Sequence, residues 1–184
     1  MAVGFVLNIN KEIAKRALED FIGLKGRMEE VKNNIGIKIF VDFAHTPSGL
    51  ENALKSLREQ YKDSKIIAVF GAAGSRDKLK RPIMGGISAK NADITILTDE
   101  DPRFEDSYKI IEEIEAGAVK QGAIDGRNFF KQSDRSKAIQ YAISLAKKGD
   151  VVCVFGKGHE SSMNYKGKEI PWSDYKEIEQ IINN

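Results

Sequence analysis

The sequence predicts an α/β fold: a doubly wound, mostly parallel sheet followed by a C-terminal hairpin and helix. Three observations predict it. Short, near-continuous β-branched runs recur along the chain, as in strands buried on both faces. Stretches with apolar residues three and four apart lie between them, as in crossover helices. The glycine, proline and charged clusters fall just after the runs, where open α/β sheets form their ligand crevice.

Taken in order, the N-terminal segment stands apart from this alternation. Lys11 to Phe21 reads as a helix, with Ile13, Ala17 and Phe21 on one stripe, and leads into the punctuated stretch Gly23-Leu24-Lys25-Gly26. This suits a linker after a helix that packs on something else. The first strand is Ile37 to Val41. Thr46-Pro47 then supplies an N-cap and a proline at the first helical position, ahead of the stripe Leu50, Ala53, Leu54, Leu57 and Tyr61. Lys65 to Phe70 and Asp93 to Leu97 are the next strands. Ile110, Ile111, Ile114 and Ala118 mark a helix, and Asn128-Phe129-Phe130 a short strand. Ile139, Ala142, Ile143 and Ala146 mark another helix, with Gly149 placed as its C-terminal cap. Val151 to Phe155 is the last long strand. Met163 to Tyr165 and Lys168 to Ile170, joined by Lys166-Gly167, read as a hairpin. A final helix starts at Ser173 and buries Ile178, Ile181 and Ile182. The sum is a Rossmann-like sheet.

Composition narrows the function. The 184 residues hold 29 basic and 27 acidic side chains, a balance that offers neither a nucleic-acid face nor a polybasic membrane tail. No apolar run approaches the roughly 20 residues of a membrane span. Residues 1 to 10 lack the basic start and cleavage site of a signal peptide, so a cytoplasmic protein is expected. The one cysteine, Cys153, lies in an apolar strand and reads as a small core side chain. With two histidines and one cysteine, no metal-ligand spacing appears, and no Gly-x-Ser-x-Gly elbow is present.

Four turns carry chemistry. Thr98-Asp99-Glu100-Asp101-Pro102-Arg103 is dense enough to hold a zwitterion, with the arginine on a carboxylate and the acids on an ammonium. Asp42-Phe43-Ala44-His45 ends the first strand. There an aspartate can accept from ribose hydroxyls and a histidine can stack on a base, or Thr46 simply caps a helix beside a turn histidine. Gly71 to Pro82 holds four cations in seven positions but no Gly-x-x-x-x-Gly-Lys-Ser/Thr, so it is not a P-loop. It is either a solvated basic loop or an anion site in which Arg76 pairs bidentately. Gly156-Lys157-Gly158-His159-Glu160 brings backbone close to a ligand, with Glu160 available to an amine, or is a plain turn into the hairpin.

Together, Gly26-Arg27-Met28-Glu29, Val41 to Pro47, Gly74-Ser75-Arg76-Asp77 with Lys80-Arg81-Pro82, Asp101-Pro102-Arg103 and Gly156 to Glu160 resemble the C-terminal domain of the Mur ligases. Within that family they are most similar to the branch that adds the third residue of the peptidoglycan stem peptide. The match runs over residues 24 to 184. It implies a three-domain parent in which residues 1 to 24 end a central ATPase domain and residues 25 to 184 form the C-terminal domain. It also implies the parent's substrates, UDP-MurNAc-L-Ala-D-Glu and a diamino acid, and its cofactors, ATP with Mg2+ held by the central domain. Carried over by position, Arg27, Asp42 and His45 belong to the ATP site. Arg76, Asp101, Arg103, Gly156 and Glu160 belong to the incoming amino acid. No catalytic residue and no metal ligand is expected in this segment, which alone would fold but not ligate. The family's Asp-Asn-Pro-Arg becomes Glu100-Asp101-Pro102-Arg103, and its Gly-Asp-Arg-Asp becomes Gly74-Ser75-Arg76-Asp77. These departures keep L-lysine open beside meso-diaminopimelate. A stand-alone nucleotide- or amino-acid-binding module with the same fold is the alternative.

Overall fold

The β-branched runs form a six-stranded sheet because each has apolar side chains for both faces. A computed structural model describes residues 2–183; Met1 and Asn184, the outer ends of the two expected segments, lie outside the described residues. The strands are β1 (Glu29–Glu30), β2 (Lys38–Asp42), β3 (Ile66–Phe70), β4 (Ile94–Leu97), β5 (Phe129–Lys131) and β6 (Val151–Phe155). Their order is β1-β2-β6-β3-β4-β5, all parallel except the β1–β2 pair. β6 enters between β2 and β3, with Phe40 opposite Cys153 and Ala68 opposite Cys153 on its other side. Chain order is therefore broken at the centre of the sheet, where a ligand crevice is expected.

Period-two alternation sorts the core into two layers. Phe40, Ile66, Ala68, Phe70, Val151, Cys153 and Phe155 face α3 (Pro47–Gln60), α4 (Lys80–Asn91) and α5 (Ser107–Val119). Ile39, Val41, Ile67, Val69, Val152 and Val154 face α6 (Arg135–Leu145) and α7 (Asp174–Asn183). Thr46 caps α3 through the Gly49 N–H, with Pro47 at its first position, as the sequence predicts. β7 (Ser162–Tyr165) and β8 (Lys168–Pro171) make the hairpin. Both turn residues, Lys166 and Gly167, have positive φ, as a type I′ turn requires.

Three elements were not legible in the sequence: α1 (Ala2–Val6), the two-residue β1, and α4. α2 (Lys11–Glu19) stops short of Phe21, and neither α1 nor α2 buries a residue. Ile13 and Phe21 are exposed. Gly149 does not cap α6, which ends at Leu145. It lies further on, in a turn closed by the Asp150 N–H on the Lys147 carbonyl, with φ of 92°.

Candidate functional site

The loops after β2, β3, β4 and β6 meet at one edge of the sheet because glycines let backbone touch backbone. A Cβ on Gly71 would lie 2.1 Å from the Thr98 carbonyl oxygen, and one on Gly74 would lie 1.9 Å from that of Pro102. The β3 loop is thus seated on the Asp-Pro-Arg turn, and the Gly74 N–H donates to the Asp101 carbonyl. Gly26 rests likewise on the β6 loop, where its Cβ would lie 2.1 Å from the His159 nitrogen. Asp42 joins these parts: Oδ1 accepts from the Ala44 N–H and Oδ2 from the Met28 N–H, both at 2.8 Å.

Two buried arginines hold this edge, and sequence reasoning assigned neither a role, Arg81 appearing only within the Lys80-Arg81-Pro82 motif and among the cations of its loop. Arg81 sits in the first turn of α4, wholly buried, where the sequence left a solvated loop open. It donates to Glu105, Glu113 and the Ala73 carbonyl, tying the β3 loop to the β4 loop. Its guanidinium, with the Ser75 N–H, pulls the Glu105 carboxyl down to about 2. Arg135 opens α6 and pairs bidentately with Asp174, both bonds 2.7 Å. It also donates to the carbonyls of Asp99 and Phe155, at the ends of β4 and β6.

Six of the expected residues line one cavity of about 430 Å3: His45, Arg76, Asp101, Arg103, Gly156 and Glu160. Phe43, Lys80 and Glu100 line it too. Arg27 and Asp42 do not. Arg27 instead lies over the Phe43 ring at 4.6 Å, and His45 and His159 flank that ring at 4.6 and 5.1 Å. This is a cation–aromatic face suited to a flat base. A larger cavity, about 770 Å3, runs between the 158–161 loop and α7; it shares Glu160 but no arginine lines it.

Charge is arranged unevenly around the smaller cavity. Among the described residues, the guanidiniums of Arg76 and Arg103 donate no hydrogen bond, which leaves them open to carboxylates. Arg103 is held in a left-handed conformation, φ 54°, by main-chain bonds to Asn164 and Lys166 on the hairpin. Asp101 and Glu160 are both engaged by the buried Lys157 ammonium, at 2.9 and 2.7 Å. Glu100, which the sequence did not single out, is 6% exposed, and its Oε2 has no hydrogen-bond partner among the described residues. Burial pushes its carboxyl up to about 8. Lys80 donates to the His45 carbonyl at 2.7 Å and joins the cavity wall to the β2 loop.

Among the described residues no cluster of His, Cys, Asp and Glu could hold a metal ion. No helix among them is long and apolar enough to cross a membrane.

Known proteins resemble this chain in sequence and in fold. A family model described as Mur ligase, glutamate ligase domain, matches residues 26–158. The UDP-N-acetylmuramoyl-L-alanyl-D-glutamate–2,6-diaminopimelate ligase of Clostridioides difficile is 46% identical over 161 residues, 88% of this chain and 32% of that protein. The UDP-N-acetylmuramyl-tripeptide synthetase of Roseiflexus is 41% identical over 166 residues, 90% of this chain and 32% of that protein. A solved UDP-N-acetylmuramoyl-L-alanyl-D-glutamate–2,6-diaminopimelate ligase superposes with a TM-score of 0.77 at 32% identity, over 94% of this chain and 36% of that one. The chain spans about a third of the length of the curated relatives it matches. It belongs to the Mur ligase family, as a glutamate ligase domain.

Proposed function

We propose that this chain is the C-terminal domain of an ATP-dependent carboxylate–amine ligase that joins meso-diaminopimelate to UDP-MurNAc-L-Ala-D-Glu in peptidoglycan synthesis. The observation that carries it is the single cavity joining two open guanidiniums, Arg76 and Arg103, to the carboxyls of Glu100, Asp101 and Glu160. A diamino diacid offers matching charges for both signs. The names of the similar ligases from C. difficile and of the solved neighbour support the same substrates.

Residues 1–24 then end the preceding central domain, which agrees with α1 and α2 burying nothing here. That domain and the one before it are the partners in cis, and the full-length enzyme works in the cytoplasm, where its nucleotide substrates are made. Arg27, Phe43 and His45 fit an adenine, and Asp42, buried with its oxygens on the Ala44 and Met28 N–H groups, fixes the loops that carry them. ATP, when bound, supplies the phosphoryl group that turns the dipeptide's carboxylate into an acyl phosphate, which the diamino acid's amine attacks to give amide, ADP and phosphate. On this reading the P-loop, whose motif is absent from this sequence, and the Mg2+ ligands belong to the central domain. This domain's work is positioning: Arg103 and Arg76 hold carboxylates and the acids hold an ammonium, so that the reacting amine points out of the cavity.

Arg103→Ala in the full-length ligase tests this. Truncating one partner of a closed arginine–carboxylate pair costs about 2–5 kcal/mol, or about 30-fold or more in kcat/KM for meso-diaminopimelate. An unchanged kcat/KM would show that Arg103 does not read the amino acid.

A further inference from the structure

Lys157 occupies an unusual place for a lysine. It is 2% exposed, between Gly156 and Gly158, whose φ values of 105° and 51° turn its side chain into the domain. Space enforces that path. A Cβ on Gly156 would lie 2.2 Å from Glu100 Oε2, and one on Gly158 would lie 2.6 Å from Phe43 Cβ. A buried ammonium is costly unless paired, and this one is paired twice: with Asp101 Oδ1 at 2.9 Å and Glu160 Oε2 at 2.7 Å.

Both of those acids line the cavity, and both are the groups expected to meet an ammonium of the substrate. The chain already supplies one ammonium to the two of them, which leaves one net negative charge for the substrate's own. The open acceptor on the wall is Glu100 Oε2, buried and without a partner among the described residues. Asp101 is also two residues from Arg103 in one tight turn, so a carboxylate drawn to Arg103 comes close to it. An uncompensated Asp101 would repel that carboxylate.

We propose that Lys157 is a specificity-determining positioning residue: its ammonium compensates Asp101 and Glu160, so the cavity accepts a second carboxylate on the amino acid instead of repelling it. This rests on reading the cavity as the amino-acid site. Diacid selectivity then depends on a cation that need not touch the substrate. It also accounts for an acid at position 101 in a site built for carboxylates.

The test is the ratio of kcat/KM for meso-diaminopimelate to that for L-lysine, measured in the full-length ligase. Lys157→Met keeps the bulk of the stem and bares two acids. The ratio should fall at least tenfold, chiefly through a raised KM for meso-diaminopimelate. Adding Asp101→Asn removes one bared charge and should return at least half of the lost ratio on a logarithmic scale. A merely structural lysine would lower kcat for both amino acids alike, and Asp101→Asn would not rescue it; that pattern overturns the proposal. Should Lys157→Met fail to fold, Asp101→Asn alone decides. Its amide oxygen still accepts from the Asn164 N–H, which Asp101 Oδ1 now does at 2.9 Å. With Lys157 then in excess, the ratio should hold or rise, and a fall overturns the proposal. An unmutated enzyme that ligates neither amino acid overturns the ligase reading, and this proposal with it. An unchanged ratio for Lys157→Met in a working enzyme overturns this proposal alone.

Discussion

Replacing Asp174 by alanine should unfold the site from beneath. Asp174 is fully buried in the first turn of α7 and carries both 2.7 Å bonds to Arg135. Without it, a guanidinium 2% exposed keeps only two carbonyls, those of Asp99 and Phe155. Removing one partner of such a pair costs about 3–5 kcal/mol, because the remaining charge stays buried. The Trp172 indole N–H, 2.8 Å from Asp174 Oδ1, loses its acceptor as well. Taking about 4 kcal/mol, and about 2–4 °C per kcal/mol for a chain of this size, the melting temperature falls by about 8–16 °C. Thermal unfolding of the 184-residue chain, followed by circular dichroism, measures it. Lys15→Ala, which breaks the exposed 3.7 Å pair with Glu19, is the control and should shift the midpoint by no more than about 2 °C. A fall below about 3 °C for Asp174→Ala would refute the reasoning, since water or relaxation would then be compensating Arg135.

Two further predictions concern single side chains. Glu100 is held neutral by burial, its folded value of about 8 lying above its ordinary 4.5. The stability this contributes is full below about 4.5 and is lost as pH rises through about 8. Glu100→Gln should therefore gain on the parent between pH 5 and pH 9 in denaturant unfolding, and an equal gap at both pH values would contradict it. Gly117→Ala places a Cβ 1.7 Å from the Pro82 carbonyl oxygen, where α4 and α5 touch. Despite alanine's helix preference, it should destabilise by about 1–3 kcal/mol, measured in urea; any gain in stability would show that the helices separate freely.

The sheet was legible because its strands are continuous apolar runs, and their ends fell within a residue or two of the structure. The Thr46-Pro47 cap and the Lys166-Gly167 turn were legible for local reasons: one backbone conformation suits each. What failed was non-local. α4 carries Pro82, Gly85 and Gly86, which lower helix propensity. Gly85 serves the packing on α5, where its Cβ would lie 1.9 Å from the Ile114 carbonyl oxygen. Arg135 and Asp174 are 39 residues apart, and neither sits in a pattern that announces the other. At the cavity, the charged turns and the family resemblance brought out His45, Arg76, Asp101, Arg103, Gly156 and Glu160. They could not show that Lys157 turns inward onto two of them, nor that Glu100 is the acid left open.

The most direct test of the ligase reading is turnover by the unmutated full-length enzyme. With ATP, Mg2+ and UDP-MurNAc-L-Ala-D-Glu present, ADP release is compared for meso-diaminopimelate and L-lysine at matched concentrations. The open guanidiniums of Arg76 and Arg103 predict a clear preference for meso-diaminopimelate. Equal or faster turnover of L-lysine would contradict it.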